Sequence, residues 1–194
     1  MNDTLQTQPD AGAGAPVFAW KQLIAPALCM AVVVVAANVL VQYPINKWFT
    51  WAAIVYPLTY FVTDISNRWA GARLARGVAW AGFVTGVTFS LVFQVPWRIA
   101  LASGAAFIVS QLLDIAVFNK LRKRSWWKAP FWGSSAASVI DTLIFFSIAF
   151  AGTERSWLHL AAGDIAVKLA MAVVLLAPFR VFIAWMGLMP VKKP

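Results

Sequence analysis

The stretch L-I-A-P-A-L-C-M-A-V-V-V-V-A-A-N-V-L-V-Q, residues 23–42, decides the fold class because it runs for 20 residues without a charged side chain. The hydrocarbon core of a bilayer is about 30 Å thick and a helix rises about 1.5 Å per residue, so about 20 apolar residues cross it. The whole chain of 194 residues is 61% hydrophobic and only 12% charged, which is not a soluble composition. We therefore predict an all-α integral membrane protein with the lipid bilayer as its surroundings.

Five more stretches are long and apolar enough to span, although four of them contain charged side chains. With the first, they are residues 23–42, 48–66, 78–95, 99–118, 131–151 and 161–185. This pattern predicts a bundle of six transmembrane helices over residues 21–190, with a disordered cytoplasmic tail at 1–20 and a cytoplasmic C-terminus at 191–194. The short turn at 94–98 predicts that the third and fourth helices form an antiparallel hairpin.

The distribution of the 16 Lys and Arg residues predicts the orientation, because basic residues near helix ends are retained in the cytoplasm. One side collects 11 of them: Lys21, Arg68, Arg73, Arg76, Lys120, Arg122, Lys123, Arg124, Lys128, Lys192 and Lys193. The other side has 3, Lys47, Arg98 and Arg155, while Lys168 and Arg180 lie within the sixth segment. Both termini are therefore predicted to be cytoplasmic, in a multi-pass protein of the bacterial inner membrane. Because the basic residues cluster between apolar stretches, no nucleic-acid partner is predicted.

Metal and enzyme chemistry find little support in the sequence. The chain has one cysteine, Cys29, and one histidine, His159, which excludes a disulfide framework and a zinc site of Cys and His. It contains neither an H-E-x-x-H nor a G-x-S-x-G motif. We predict no catalytic residues, no cofactor and no metal.

Four aspartates fall within predicted spans, where a charged side chain costs roughly 2.5 kcal/mol or more and usually has a partner or a function. Asp164 is predicted to cap the sixth helix and to pair with Lys168 at i+4. Asp64 is either a boundary ion pair with Arg68 or a functional residue. Asp114 and Asp141 have no charged neighbour so close in their own helices, which favours a functional role for both.

Polar side chains recur at helical spacing beside these carboxylates. The fifth segment presents Ser134, Ser138 and Asp141, and the second presents Tyr56, Tyr60, Thr63 and Asn67. Such stripes are either interhelical hydrogen bonds, worth about 0.6 kcal/mol each, or the lining of a polar cavity. Because several stripes converge with carboxylates, we predict a cavity.

Two longer motifs carry a resemblance to a known family. They are Y-P-L-T-Y-F-V-T-D-I-S-N-R-W-A-G-A-R-L-A-R at residues 56–76 and S-Q-L-L-D-I-A-V-F-N-K-L-R-K at 110–123, the second continuing through W-W-K-A-P into D-T-L-I-F-F-S-I-A-F at 141–150. Together they resemble the queuosine-precursor transporter family, also called the vitamin uptake transporter family. The resemblance covers about half of the chain, in its middle.

The resemblance implies a six-helix carrier that imports 7-cyano-7-deazaguanine or 7-aminomethyl-7-deazaguanine, which the cell uses to modify tRNA. A carboxylate can accept the N1–H and 2-amino hydrogens of such a deazapurine as a bidentate pair. The predicted substrate-binding residues are Asp64, Asn67, Arg68, Gln111, Asp114, Ser138 and Asp141. Among them, Asp114 and Asp141 are expected to line the site, with Gln111 beside them, and Phe118, Phe145, Trp126 or Trp127 could stack on the ring.

Other functions stay open at this point. The main alternative is a substrate-binding membrane subunit of an ATPase-driven vitamin importer, and a scaffold without transport activity is a third reading. Energy coupling, through a proton on a buried carboxylate or by facilitated diffusion, is not decided by the sequence. Neither the preferred precursor nor the oligomeric state is decided, and a homo-oligomer is compatible with the sequence.

Overall fold

The computed structural model describes residues 20–46, 49–152 and 157–189, which form eight helices. They are α1 (Trp20–Leu40), α2 (Ala52–Val55), α3 (Leu58–Ala70), α4 (Ala72–Val92), α5 (Trp97–Leu121), α6 (Lys128–Phe150), α7 (Leu158–Val174) and α8 (Leu176–Trp185). Within these ranges the only β-type pairing is an isolated bridge between Pro44 and Thr50. The described part of the chain is all-helical, as predicted. Apart from Trp20, the predicted terminal segments 1–20 and 191–194 lie outside the described residues.

Five helical stretches are long and apolar enough to cross a membrane: Lys21–Leu40, Ala72–Val92, Trp97–Leu121, Lys128–Phe150 and Leu158–Trp185. A helix satisfies its own backbone N–H and C=O groups, which hydrocarbon cannot do. The five stretches correspond to the first, third, fourth, fifth and sixth predicted spans. The third is longer than predicted, because α4 begins at Ala72. It packs against α5 after a short connection at 93–96, which confirms the predicted hairpin.

The second predicted span, residues 48–66, is not a continuous helix. It is interrupted between Val55, the last residue of α2, and Leu58, the first of α3. Pro57 lies at the interruption and has no backbone N–H, so the carbonyl of Ala53 loses its helical donor. The described residues thus contain five candidate spans rather than the six predicted. Residue 48 itself lies outside the described ranges.

The sixth predicted span is interrupted as well. α7 ends at Val174 and α8 begins at Leu176, and Pro178 in the first turn of α8 removes the donor for the carbonyl of Val174. The two helices together still form one stretch of 28 residues. Both interruptions therefore lie within segments predicted as single helices.

Polar side chains face the interior and apolar ones face outward, as lipid surroundings require. Val32, Leu91 and Trp185 are 69%, 74% and 81% exposed. By contrast, α3 buries a mostly polar set, consisting of Thr59, Tyr60, Val62, Thr63, Asp64, Ser66 and Asn67. This reversed distribution gives the bundle a polar centre along α3.

α5 and α6 form the most extensive helix contact of the described chain. Gly133 makes this approach possible, because a Cβ at that position would lie 2.5 Å from Asp114 Oδ1 and 3.3 Å from the Asp114 carbonyl oxygen. The missing side chain leaves space for a carboxyl group between the two helices. Close packing at Gly133 thus holds Asp114 inside the bundle.

Candidate functional site

A small cavity lies where α3, α6, α7 and α8 meet. Its volume is about 10 Å³, which is room for about one water molecule. It is lined by Pro57, Phe61, Asp64, Pro130, Ser134, Ser138, Lys168, Ala172, Leu175, Leu176 and Phe179. Residues of both helix interruptions, Pro57 and Leu175, border it, so irregular backbone and polar side chains meet at one place.

Lys168 of α7 is the centre of a buried ionic cluster beside this cavity. Its Nζ lies 2.8 Å from Asp141 Oδ2 and 2.5 Å from Asp164 Oδ2. The Tyr56 hydroxyl donates to Asp141 Oδ1 at 2.8 Å, and the Ser110 hydroxyl donates to the same oxygen at 3.2 Å. Two carboxylates and one ammonium leave a formal charge of −1, and each oxygen of Asp141 has a partner.

The predicted i,i+4 pair of Asp164 and Lys168 is confirmed, but the predicted capping role of Asp164 is wrong. α7 begins at Leu158, so Asp164 lies inside the helix rather than at its start. Its Oδ2 instead accepts a hydrogen bond from Thr142 of α6 at 2.7 Å. The contact between Lys168 and Asp141 could not be found from spacing along one helix, because it joins α7 to α6.

Asp64 and Asp114 form a second centre, which we call the acid pair. They are 2% and 0% exposed, and their carboxyl groups lie within hydrogen-bonding reach of each other. Ser134 donates to Asp64 Oδ2 at 3.3 Å. Asp64 Oδ1 and both oxygens of Asp114 have no hydrogen-bond partner among the described residues. Neither carboxylate forms an ion pair within the described ranges.

Gln111 and Asn67 connect α3 to α5. Gln111 accepts a hydrogen bond from Thr63 at 2.6 Å and donates to Thr59 at 3.0 Å. Asn67 donates to the Ile115 carbonyl at 3.4 Å, and its Oδ1 has no partner among the described residues. Both amides are fully buried. Their present contacts are interhelical, and neither residue lines the small cavity.

Arg68 is not paired with Asp64, so of the two alternatives for Asp64 the boundary ion pair is wrong. Its guanidinium donates to the Leu188 carbonyl at 2.8 and 2.6 Å and to the Arg122 carbonyl at 2.8 Å. These bonds join the C-terminal end of α3 to the chain that follows α5 and α8. The Arg68 guanidinium therefore donates to none of the other predicted substrate-binding residues.

The structure brings the predicted residues into one region but does not place all of them at the cavity. Asp64 and Ser138 line it, while Asp114 and Asp141 each contact a residue that does. Lys168 was not predicted as a site residue, although a lysine inside an apolar segment is a signal for one.

Of the aromatic candidates, Phe118 packs against Phe179 in an apolar cluster. The described residues contain no group of three or more His, Cys, Asp and Glu side chains that could hold a metal ion.

Comparisons with known proteins identify the family of the chain. The profile of the family described as "Putative vitamin uptake transporter" matches residues 50–96 and 87–183. A queuosine precursor transporter of Escherichia coli strain K12 is 33% identical over 187 residues, covering 82% of this chain and 85% of that protein.

Two further relatives carry the name "Probable queuosine precursor transporter". The one from Haemophilus influenzae is 32% identical over 66% of both chains, and the one from Bacillus subtilis is 29% identical over 62% of this chain and 66% of its own. No solved structure gives a significant match. With its family match and its five apolar spans, the chain belongs to the vitamin uptake transporter family and is a multi-pass protein of the bacterial inner membrane.

Proposed function

We propose that this chain imports queuosine precursors, 7-cyano-7-deazaguanine, 7-aminomethyl-7-deazaguanine or both, for tRNA modification. The names of the relatives support the substrate class. The single observation that carries the proposal is the cavity at the junction of two interrupted helices, lined by Asp64 on one side and Lys168 on the other. Interrupted helices beside a polar cavity are a recurrent arrangement in membrane transporters.

The proposed orientation has six spans with both termini in the cytoplasm, α2 and α3 together forming the second span. The bonds from Arg68 to Leu188 and Arg122 support it, because they bring the C-terminal ends of three spans to one side. That side carries Arg73 and Arg76 near the start of α4 and the basic residues between α5 and α6. A fluorescent protein fused to the C-terminus should fluoresce in cells, whereas an alkaline phosphatase fusion there should be inactive; the opposite result contradicts this orientation.

The chemistry of the cavity fits a deazapurine edge. Asp64 Oδ1 is free to accept from N1–H, and Oδ2 can accept from the 2-amino group beside its bond from Ser134. Lys168 can donate to O6 once it releases one of its present bonds to Asp141, Asp164 and Thr142, and the Phe179 ring offers an apolar face. We retain Asn67, Gln111, Asp114, Ser138 and Asp141 as proposed neighbours of the substrate. A volume of about 10 Å³ is far below that of a ligand pocket, so the helices must part to admit the substrate.

The test is queuosine content of tRNA in a bacterial strain that lacks both precursor synthesis and its own transporter. Cells expressing the chain and given either precursor should recover the modification, and empty-vector cells should not. Asp64→Ala at equal membrane abundance should abolish recovery, whereas Asp10→Ala in the predicted tail should not. Full recovery by Asp64→Ala or by Asp141→Ala contradicts the proposed site.

A second arm separates this proposal from the ATPase-driven alternative. The purified chain is placed in liposomes loaded with unlabelled precursor, and exchange with labelled precursor outside is measured without any ATPase. Exchange by the chain alone supports a self-sufficient transporter. Recovery in cells without exchange in liposomes supports the alternative.

A further inference from the structure

The geometry of the acid pair requires one proton between its two carboxyl groups. A carboxylate only accepts hydrogen bonds, so two carboxyl groups within bonding reach can bond only if one of them holds a proton. Asp64 and Asp114 are in this position, and both are at least 98% buried. Without a proton, two negative charges would lie in contact inside a low-dielectric bundle, where their repulsion is strong.

The surroundings of the acid pair supply no cation among the described residues. In α7, Lys168 is bound to Asp141 and Asp164. Arg68 in α3 is bound to backbone carbonyls, and Arg180 in α8 lies over the Trp126 ring at 5.3 Å. Further titratable or basic groups on the packed helices include Tyr60 of α3, Arg73 and Arg76 of α4, Arg98 and Lys120 of α5, and Lys128 and Asp141 of α6. Among the described residues, no ion pair joins these basic groups to the acid pair.

The cavity is an independent sign of a small ligand at this place. It borders Asp64 and Ser138, and Ser138, which is 1% exposed, has a buried hydroxyl without a hydrogen-bond partner among the described residues. One water fits beside these groups, and a water can deliver a proton to the pair or accept one from it.

We propose that Asp114 binds a proton, shared with Asp64, and that this proton moves with the substrate, so that the acid pair couples transport to the proton gradient. Asp114 is the proton holder because neither of its oxygens has another partner, whereas Asp64 already accepts from Ser134. The inference rests on the proposed function and deepens it by naming the coupled ion and its site.

Protonation prepares Asp64 for the substrate. The Asp114 carboxylate takes one proton from water and becomes a carboxylic acid, whose O–H donates to Asp64. Asp64 then remains the single negative charge and presents its free oxygen to the N1–H of the substrate. On the opposite side of the membrane the O–H bond breaks, its electron pair stays on Asp114 and the proton goes to water. Because proton and substrate each favour binding of the other, they travel together.

The experiment compares exchange with accumulation in liposomes that contain only this chain. With labelled 7-cyano-7-deazaguanine as the probe, an acid exterior should drive several-fold accumulation by the wild type, and a protonophore should abolish it. In Asp114→Asn the ratio of accumulation to exchange should fall to the ratio that the wild type shows with the protonophore, and Asp10→Asn should behave as the wild type. Wild-type accumulation that ignores the pH gradient, that follows a Na⁺ gradient instead, or that survives in Asp114→Asn overturns the proposal.

A measurement without substrate keeps the two proposals separate. The infrared spectrum of the reconstituted wild type at neutral pH should contain a carboxylic-acid C=O band that Asp114→Asn lacks and Asp10→Asn keeps. Absence of this band in the wild type overturns the proton site. Failure of the wild type to exchange deazapurines, with the band present, contradicts the proposed substrate and leaves the proton site supported.

Discussion

The two carboxylate centres of this bundle are close in space and opposite in character. Asp141 and Asp164 share the Lys168 ammonium and accept from hydroxyl groups of Tyr56 and Thr142. The acid pair has neither a cation nor, on three of its four oxygens, a hydrogen-bond partner among the described residues. Asp141 and Lys168 are buried as the acid pair is, and Asp164 is partly exposed, so exposure to water does not explain why Asp141 has partners that the acid pair lacks.

The partners of a buried carboxylate indicate whether it serves stability or binding. A carboxylate bound by an ammonium and by hydroxyl groups has all the partners it needs within the protein. Removing one member of such an ion pair should lower the free energy of unfolding. A carboxylate left without such partners needs something that the polypeptide does not provide, such as a proton or a substrate donor. The first centre therefore positions Lys168 at the cavity, and the second is suited to exchange ligands.

The largest effect should come from Lys168→Met, which removes the cation of the first centre. Asp141 would then be buried, and Asp164 partly buried, without compensation, a change that costs about 3–5 kcal/mol in free energy of unfolding. Thermal or SDS-induced unfolding of the purified protein measures this loss. Lys120→Met, at an exposed position near the end of α5, is the matched control and should have little effect.

Adding Asp141→Asn to Lys168→Met should recover part of the lost stability, because one uncompensated charge is removed while Tyr56 keeps an acceptor. If the double variant is less stable than Lys168→Met alone, the ionic interpretation of the first centre is wrong.

Gly133→Ala should have the next largest effect and should act on the second centre. The added Cβ would lie 2.5 Å from Asp114 Oδ1 and 3.3 Å from its carbonyl oxygen, so α5 and α6 would have to separate. Overpacking of this kind costs about 1–3 kcal/mol. Gly86→Ala is the control, because its Cβ would meet Val34 at an ordinary 3.6 Å and alanine favours helix by up to about 1 kcal/mol. Equal stabilities of the two variants would contradict the close approach at Gly133.

Hydropathy and charge predicted the five long apolar spans because lipid surroundings dictate about 20 apolar residues per crossing. Asp64, Gln111 and Asp114 were all among the predicted substrate-binding residues. The predicted neighbours were Asp114, Asp141 and Gln111, however, and the contact between Asp64 and Asp114 was not predicted. What could not be predicted is where a span is interrupted. Pro57 and Pro178 allow an interruption, but Pro26 lies inside the uninterrupted helix α1, so proline alone does not decide.

Contacts between side chains on different helices could not be predicted either. Spacing along one helix predicted the pair of Asp164 and Lys168 correctly. It also allowed a pair of Asp64 and Arg68, which does not form because backbone carbonyls, such as that of Leu188, bind the arginine. The bond from Lys168 to Asp141 depends on how α6 and α7 pack, which periodicity within either helix does not contain.

Gln111→Met should have a smaller effect on stability, and it separates two readings of this amide. It removes the hydrogen bonds to Thr59 and Thr63, each worth about 0.6 kcal/mol, so the loss should be about 1 kcal/mol. Both threonine hydroxyls keep backbone acceptors, which limits the damage. If the KM of uptake at equal membrane abundance is unchanged while the free energy of unfolding falls, Gln111 is an interhelical contact. A tenfold or greater rise in KM would place it at the substrate.

Asp114→Asn should have the smallest effect on stability and thereby gives the sharpest contrast with Lys168→Met. If Asp114 already holds a proton, an asparagine amide of nearly the same shape can donate to Asp64 as the carboxylic acid does. The free energy of unfolding at neutral pH should then be unchanged, although proton-driven accumulation is lost. If Asp114 were an ionised partner of a cation outside the described residues, its neutralisation would leave that cation buried and destabilise the protein by several kcal/mol. A loss comparable to that of Lys168→Met would therefore mean that the two centres are alike and that both are structural.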